Sequence, residues 1–459
     1  MDWYAPIVKN IIHPLWAFTD GETHIALWRE LERSQYFSRD EIARLQLNRL
    51  RTMVGHAYEN CPFYRERLDS VGFSPADLRD FADLARIPML TKEDIQVHKD
   101  DLVARNIAKS DLLPDKTGGS TGKPLHYYRD RRRMDYLKAS AMRHDRWAGY
   151  EVGDKLAVIW GNRHDFSATQ ELKWHIRNMV LERKLILDSS SITEERMHEF
   201  ARKLRKFKPE AILTYANSGA LFASFLLENN IRDIRVKSVI TSAEMLHNGE
   251  RETIAEAFGC EVFDRYGCRE VGVIASECEA HAGMHISAEC VFVEFVRNGR
   301  PAGSGEEGDV VITDLLNFGM PLIRYRIEDI GIPSDRTCSC GRGLPLMEMV
   351  GGRVTDFLVA PDGRRVSGAS LTIYLIANTP GVRQAQIVQN VPYALHIKIV
   401  KGVEFTDDSI SFLKRKVAEF FGHEVELEIE FVSDIPKEVS GKYRFSICNI
   451  GRRNDSDVS

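Results

Sequence analysis

The chain has 459 residues, of which 43% are hydrophobic, and it carries a formal net charge of −5. This length exceeds what one hydrophobic core normally serves, so we expect two or three domains. Lys and Arg are interleaved with Asp and Glu, which leaves no basic footprint for nucleic acid or for an anionic membrane. The composition therefore favours chemistry on small molecules.

The amino-terminal residues do not have the pattern of a signal peptide. Asp2 stands at the start, and Lys9, Asn10 and His13 interrupt the apolar run that follows. The sequence contains no apolar stretch of about 18 residues that would span a membrane. We therefore expect a cytoplasmic protein. Eight cysteines in so long a chain do not indicate a disulfide framework, so those that cluster with histidine deserve separate consideration.

Capping signals predict helices in the first part of the chain. Ser38 and Glu41 form a capping box before apolar residues at helical spacing, and Thr91 is placed to cap another helix. A further helix is predicted from Arg129 to Tyr150, and its basic first turn, Arg131–Arg133, is interpreted as solvated surface.

The stretch Thr117–Pro124, TGGSTGKP, is a candidate phosphate loop. Its glycines free the backbone, its N–H groups are accessible, and Lys123 adds a cation, which together suit a polyphosphate. It is not a Walker A loop, because Pro124 rather than a hydroxyl residue follows the lysine. The alternative is an ordinary flexible surface loop.

Strands and helices alternate between Lys155 and Gly267, which predicts an α/β fold with a parallel sheet covered by helices. Ligands of such sheets bind at the carboxyl ends of the strands. The residues that fall there are candidates for ligand binding: Ser242, Ala243, Glu244, Tyr266 and Gly267.

From Val291 onward the pattern changes to segments of period two, which predicts an antiparallel β subdomain. After Gly351 and Gly352 a smaller α+β unit is predicted, with three strands, one helix and a polar tail. We therefore expect a large domain over residues 1–352 and a small carboxy-terminal domain over residues 353–459.

Four stretches in this order, TGGSTGKP, RYGCREVG, GDVVITDLLNFGMPLIRYRIEDIG and PKEVSGKYR, resemble the adenylate-forming superfamily of acyl-CoA synthetases, adenylation domains and luciferases. The sequence is more similar to the phenylacetate–CoA ligase branch, which includes CapK-like proteins of capsular polysaccharide synthesis. The resemblance covers Ser38 to Arg444. It implies a large domain with helix-covered, mostly parallel sheets and a small mobile lid.

The resemblance also implies roles for individual residues. The phosphate loop would hold the β- and γ-phosphates through Ser120, Thr121, Gly122 and Lys123, with Thr121 also counted as catalytic. In the Tyr-Gly-x-x-Glu motif, Glu270 would be linked to Mg²⁺ and Tyr266 would lie against adenine.

The remaining implied roles belong to the end of the large domain and to the lid. Asp329 would accept hydrogen bonds from the ribose hydroxyls, Arg353 would lie near the nucleotide, and Lys442 would be the adenylation lysine, carried in and out as the lid moves. The sequence departs from the family at Glu328, where glycine is usual, and at Thr355, where a hinge aspartate is common. The pivot is therefore placed between Arg353 and Asp356.

Cysteine and histidine spacing indicates a second, structural site. Cys278-x2-His281 and Cys338-x-Cys340 are spaced as ligands of a tetrahedral Zn²⁺ ion, and His285 competes with His281 for the fourth position. Four protein ligands would leave no open position for chemistry. The alternative is that these are unrelated buried residues.

The resemblance implies an AMP-forming carboxylate ligase that uses ATP and Mg²⁺ and passes the acyl group to coenzyme A. Two alternatives stay open: transfer to an amine, as on an amino sugar or amino acid, and a nucleotide-binding relative without catalysis. The expected partners are small molecules and not nucleic acid or membrane, and a homodimer is left open.

Overall fold

The computed structural model describes residues 2–116, 125–161, 175–189, 192–351, 354–355, 357–371, 375–376, 379–402, 404–422, 424–435 and 444–450. The α-helices of these residues are α1 (Tyr4–Ile7), α2 (His13–Thr19), α3 (His24–Ser34), α4 (Arg39–Asn60), α5 (Pro62–Ser70), α6 (Lys92–Val97), α7 (Arg131–Trp147), α8 (Glu194–Phe207), α9 (Ala216–Glu228), α10 (Asn248–Phe258), α11 (Gly368–Leu371) and α12 (Asp407–Phe421).

The first fourteen strands lie before residue 352. They are β1 (Leu112–Lys116), β2 (His126–Asp130), β3 (Leu156–Trp160), β4 (Lys184–Asp188), β5 (Ala211–Tyr215), β6 (Ser238–Ser242), β7 (Glu261–Cys268), β8 (Gly272–Glu277), β9 (Met284–Ile286), β10 (Val291–Arg297), β11 (Arg300–Pro301), β12 (Gly308–Asp314), β13 (Tyr325–Ser334) and β14 (Leu346–Gly351). The later strands are β15 (Val354–Thr355), β16 (Phe357–Val359), β17 (Arg365–Ser367), β18 (Val382–Val391), β19 (Ala394–Lys401), β20 (Glu426–Phe431) and β21 (Arg444–Cys448).

A 12-stranded sheet in the order β11-β10-β12-β13-β14-β9-β8-β7-β6-β5-β3-β4 dominates the described residues. The strands β4, β3, β5, β6 and β7 are parallel to one another. Their short apolar runs suit strands covered on both faces. Phe222 of α9 and Ile254 of α10 pack with β-strand residues such as Ile212 and Val239 in one core. The α/β prediction is confirmed.

The expected antiparallel subdomain is not a sheet of its own. The chain reverses after β7, where Gly272 has a φ of +71°, and β8 returns antiparallel to β7. The strands β9 to β14 then continue the same sheet by antiparallel pairing. Period-two patterns identify antiparallel strands, but they do not show whether the strands form a separate sheet or extend an edge of an existing one.

The carboxy-terminal residues form a five-stranded sheet in the order β15-β21-β18-β19-β20, with α12 packed on it. The strands β18, β19 and β20 and the helix α12 confirm the sequence expectation for this region, whereas β21 was not predicted. The strand β14 ends at Gly351 in the large sheet, and β15 begins at Val354 in the small one. The predicted boundary lies between these two strands.

Helix α7 corrects one interpretation of the sequence. Arg133 was interpreted as solvated, but its side chain is fully buried, because α7 packs between α3 and the large sheet. Its Nε lies 2.7 Å from Asp314 Oδ2, and its Nη2 donates to the Val271 carbonyl oxygen at 2.7 Å. Arg131 and Arg132 are exposed as expected, so the buried ion pair corrects the interpretation at Arg133 alone.

Among the described residues, no helix combines the length and the hydropathy needed to cross a bilayer.

Candidate active site

The carboxyl ends of β6 and β7 meet where the sequence placed the nucleotide ligands. Ser242, the last residue of β6, pairs with Arg265, so Ala243 follows β6 next to Tyr266, which lies near the end of β7. Ala243 has a φ of +68°, a conformation that residues other than glycine rarely adopt. The Glu244 side chain accepts a hydrogen bond from the Asn217 N–H at 3.0 Å, at the start of α9. The turn after β6 is therefore held in a strained shape at this edge.

Gly267 is required by the close approach of two strands. A Cβ atom at this position would lie 2.5 Å from the Gly272 carbonyl oxygen. The adjacent Tyr266 hydroxyl donates to Asp329 Oδ2 at 2.9 Å. The structure thus brings together the tyrosine predicted to lie against adenine and the aspartate predicted to bind the ribose, which are 63 residues apart in sequence.

Glu270 lies in the turn between β7 and β8, and its side chain is almost fully buried. Its Oε1 accepts a hydrogen bond at 2.9 Å from the hydroxyl of Tyr325, which is itself buried. Sequence reasoning missed Tyr325, although it stands at the head of the same strand, β13, that carries Asp329. The strand β13 therefore contacts both predicted site residues of the Tyr-Gly-x-x-Glu motif. Its Tyr325 contacts Glu270, and its Asp329 contacts Tyr266.

The base of the phosphate loop is tied to the turn that carries Glu270. Lys116 and His126 are paired across the end of β1 and β2, which closes the loop between them. Arg269 Nη1 donates to the Lys116 carbonyl oxygen at 2.8 Å, and the Tyr127 hydroxyl donates to the Arg269 carbonyl oxygen at 2.9 Å. The strand residues that flank the loop therefore contact Arg269, the residue before Glu270.

Arg129 reinforces this attachment. Its Nη1 lies 2.7 Å from Asp115 Oδ2, and its Nη2 donates to the Tyr127 hydroxyl at 2.6 Å. Burial raises the pKa of Tyr127 well above its usual value, so this hydroxyl keeps its proton. No motif in the sequence marks these residues, because they contact one another and the Arg269 carbonyl oxygen beside the flanking strands.

The remaining predicted site residues lie outside the described residues: Ser120, Thr121, Gly122, Lys123, Arg353 and Lys442. For Arg353 and Lys442, the strands that follow them in sequence are described. The strand β15 begins one residue after Arg353, and β21 begins two residues after Lys442. These two strands pair in parallel, with Val354 opposite Arg444. The junction and the segment that carries the predicted lysine are therefore linked through neighbouring strands.

Three of the four predicted zinc ligands lie together with a different histidine. The side-chain ligand atoms of Cys278, His285, Cys338 and Cys340 lie within 4.8 Å of one another. Cys278 Sγ is 3.6 Å from Cys338 Sγ, and Cys340 Sγ is 3.3 Å from His285 Nε2. A tetrahedral Zn²⁺ with thiolates at about 2.3 Å separates its sulfurs by about 3.8 Å, so these residues fit the ion.

His281 does not belong to this cluster, and its assignment as the fourth ligand is corrected to His285. The His281 ring instead contacts Glu277, with Nδ1 3.3 Å from Oε2, and this carboxylate raises the pKa of His281. His285 Nδ1 lies 3.3 Å from the Leu344 carbonyl oxygen, the kind of contact that orients a metal-binding imidazole. Burial lowers the pKa of His285 to about 4, so the ring is neutral at pH 7.

We expect zinc bound by these four residues to stabilise the fold, because they join the β8–β9 region to the segment before β14. Cys338→Ser and His285→Ala should each lower the zinc content from about one ion per chain and reduce the melting temperature. His281→Ala is the matched control and should retain the metal. Metal analysis and thermal unfolding measure both effects; protein purified without chelators that contains no zinc, or a metal-free His281→Ala variant, would contradict the assignment.

The chain is similar in sequence to several known proteins. Residues 358–449 match the family model of the CapK C-terminal domain. The chain is 24% identical to Protein CapK of Staphylococcus aureus over 422 residues, which are 90% of each protein. It is 29% identical over 345 residues to a phenylacetate-coenzyme A ligase of Aromatoleum evansii, covering 72% of this chain and 74% of that one.

The fold has a solved counterpart. A crystal structure of 2-hydroxyisobutyryl-CoA ligase in the postadenylation state superposes with a TM-score of 0.60 at 20% identity, over 91% of both chains. The chain therefore has the fold of the adenylate-forming superfamily, which its four sequence motifs also resemble. In sequence the chain is similar to the branch of that superfamily that contains CapK and the phenylacetate–CoA ligases.

Proposed function

We propose that this protein is an ATP-dependent, AMP-forming carboxylate ligase that transfers its acyl group to coenzyme A. The observation that carries the proposal is the grouping, at the carboxyl ends of β6 and β7, of Tyr266 with Asp329 and of Glu270 with Tyr325, beside the base of the glycine-rich loop. The curated relatives named as coenzyme A ligases support the same reaction class.

The reaction would have two steps. A carboxylate oxygen of the acid attacks the α-phosphorus of ATP, and pyrophosphate leaves. The thiol sulfur of coenzyme A then attacks the acyl carbon, and AMP leaves with the bridging oxygen while the thiol loses its proton. The first step brings two anions together, so cations and N–H dipoles must be aimed at the charge that develops.

Each site residue has a place in this scheme. The glycine-rich loop and Lys123 hold the terminal phosphates, Asp329 accepts from the ribose hydroxyls, and the Tyr266 ring lies against adenine. Glu270 is an oxygen donor of the kind that Mg²⁺ binds, and the ion would neutralise phosphate charge. Lys442 would balance the charge between the acid and the α-phosphate.

The acyl group would lie next to the nucleotide along the same edge of the sheet. Trp160 ends β3 and Tyr215 ends β5, which neighbours β6, and their ring centroids are 3.9 Å apart. This aromatic pair would form a wall of the acyl pocket. Such a wall favours aryl or other apolar carboxylates.

Carboxylate-dependent exchange of labelled pyrophosphate into ATP tests the proposal. We expect one class in a panel of aryl, aliphatic and amino carboxylates to support exchange, and no exchange without acid. A thioester should then form when coenzyme A is added. A product that forms only when an amine is supplied would show that the acceptor is an amine and not coenzyme A. Absence of pyrophosphate exchange with every acid would favour a nucleotide-binding relative without catalysis.

A further inference from the structure

Glu328 occupies a backbone conformation that normally belongs to glycine. Its φ is +69°, and it directly precedes Asp329. The pairing of β12 with β13 passes from Asp309–Ile330 to Val311–Arg326, so β13 uses four residue steps where β12 uses two. The extra residues form a bulge around Glu328. The bulge sets the direction in which the Asp329 carboxylate points.

Lys92 contacts this bulge from a different part of the chain. It is the first residue of α6, which Thr91 and Asp94 begin with a capping box. The Lys92 side chain is only 7% exposed, and its Nζ lies 2.8 Å from Glu328 Oε2. An ammonium group this deeply buried is stabilised by a charged partner.

The segment before α6 is fastened to the same strand. The Leu90 N–H donates to the Arg324 carbonyl oxygen at 2.8 Å, and the Arg326 N–H donates to the Leu90 carbonyl oxygen at 2.9 Å. Arg324 Nη1 also donates to the Ala85 carbonyl oxygen at 3.0 Å. These contacts hold Lys92 in register with the residues that precede Asp329. The ion pair is therefore one of several contacts that join the start of α6 to β13.

We propose that Lys92 is a positioning residue of the nucleotide site: its ammonium neutralises Glu328 and fixes the bulge, and so aims Asp329 at the ribose hydroxyls. The proposal rests on the ribose role of Asp329 given above. Glu328 and Asp329 are neighbouring carboxylates, and without the Lys92 charge they would repel each other and turn Asp329 away. Lys92 thereby permits a glutamate where the related motif has glycine.

Ribose analogues distinguish positioning from general stability. In pyrophosphate exchange, we expect the wild-type protein to prefer ATP over 2′-deoxy-ATP and 3′-deoxy-ATP by about tenfold or more, because each analogue loses a hydrogen bond to a charged group. Lys92→Met keeps most of the side-chain volume. It should raise the KM for ATP by about tenfold, leave kcat nearly unchanged and remove most of the preference for ATP.

A second substitution should restore the site. Glycine adopts a φ of +69° without strain and carries no carboxylate, so Lys92→Met with Glu328→Gly should recover the wild-type KM and preference for ATP. Lys109→Met, at an exposed position, is the matched control and should behave as the wild type. If Lys92→Met does not fold, the double variant should still fold and discriminate.

Three results would overturn the proposal. Lys92→Met with an unchanged KM and an unchanged preference for ATP would show that the ammonium does not act on Asp329. A double variant that stays impaired would show that Glu328 is not the group through which Lys92 acts. A wild-type protein that adenylates but accepts all three nucleotides equally would remove the ribose role of Asp329, on which the proposal rests, while leaving the ligase activity in place.

Discussion

Lys442→Ala should lower the rate of acyl-adenylate formation by about a hundredfold or more, as expected when a partner of transition-state charge is removed. The ammonium would offset charge that builds only as the carboxylate oxygen bonds to the α-phosphorus. Its loss should therefore reduce kcat more than it weakens ATP binding. Pyrophosphate exchange at saturating ATP measures this effect.

The second half-reaction provides the control for Lys442. In the superfamily that this chain resembles, the lid moves the lysine away before thioester formation, so Lys442→Ala should still convert a synthetic acyl adenylate to product. Lys437→Ala, in the same PKEVSGKYR stretch, should be close to wild type in both steps. Near-normal adenylation by Lys442→Ala, or equal loss of both half-reactions in a folded protein, would contradict the assignment and the lid mechanism.

Glu270→Gln should slow adenylation by about a hundredfold or more, because it removes the charge that would bind Mg²⁺ against the phosphates. The substitution hardly changes the shape of the side chain. Glutamine still offers an oxygen to the Tyr325 hydroxyl that now donates to Glu270 Oε1 at 2.9 Å. The melting temperature should therefore stay close to that of the wild type.

A titration with Mg²⁺ separates the contribution of the Glu270 charge from that of its hydrogen bond with Tyr325. We expect Glu270→Gln to remain slow at Mg²⁺ concentrations that saturate the wild type. Tyr325→Phe, which removes the hydrogen bond but keeps the carboxylate, should slow the reaction far less. An active Glu270→Gln enzyme at ordinary Mg²⁺ would tell against the metal role, and equal losses in both variants would point to side-chain orientation instead of charge.

Much of the fold could be predicted because its signals are local. The capping boxes at Ser38 and Thr91 begin helices where the sequence placed them. The short apolar strands around Ile159 and Ile240 pair in parallel, as their alternation with helices indicated. The carboxyl ends of parallel strands lie at the same edge of a sheet. Ala243 and Tyr266 could therefore be placed at the carboxyl edge of the sheet before the residues around them were known.

The errors concern contacts between distant segments. Cys278 lies three residues from His281 and seven from His285, and only the fold of β9 shows which ring reaches the sulfurs. Arg133 had the charge pattern of a surface residue, but the packing of α7 buries it against Asp314. Spacing along the chain does not contain this information.

The support of the site was also hidden from sequence reasoning. Tyr325 contacts Glu270 and Lys92 contacts Glu328, and neither residue had been given a role from the sequence. Glu328 could be recognised as a departure from the expected glycine, but its partner could not. The ion pair joins residues that lie 236 positions apart, so it follows from the tertiary structure alone.

The transfer of an oxygen atom from the acid to AMP tests the central claim most directly. The acid that best supports pyrophosphate exchange would be labelled with oxygen-18 in its carboxyl group and turned over with ATP and the acceptor. Formation of an acyl adenylate predicts AMP that carries one labelled oxygen, because the bridging oxygen leaves with the phosphate. AMP without label, or a label that appears in pyrophosphate or inorganic phosphate, would contradict the account.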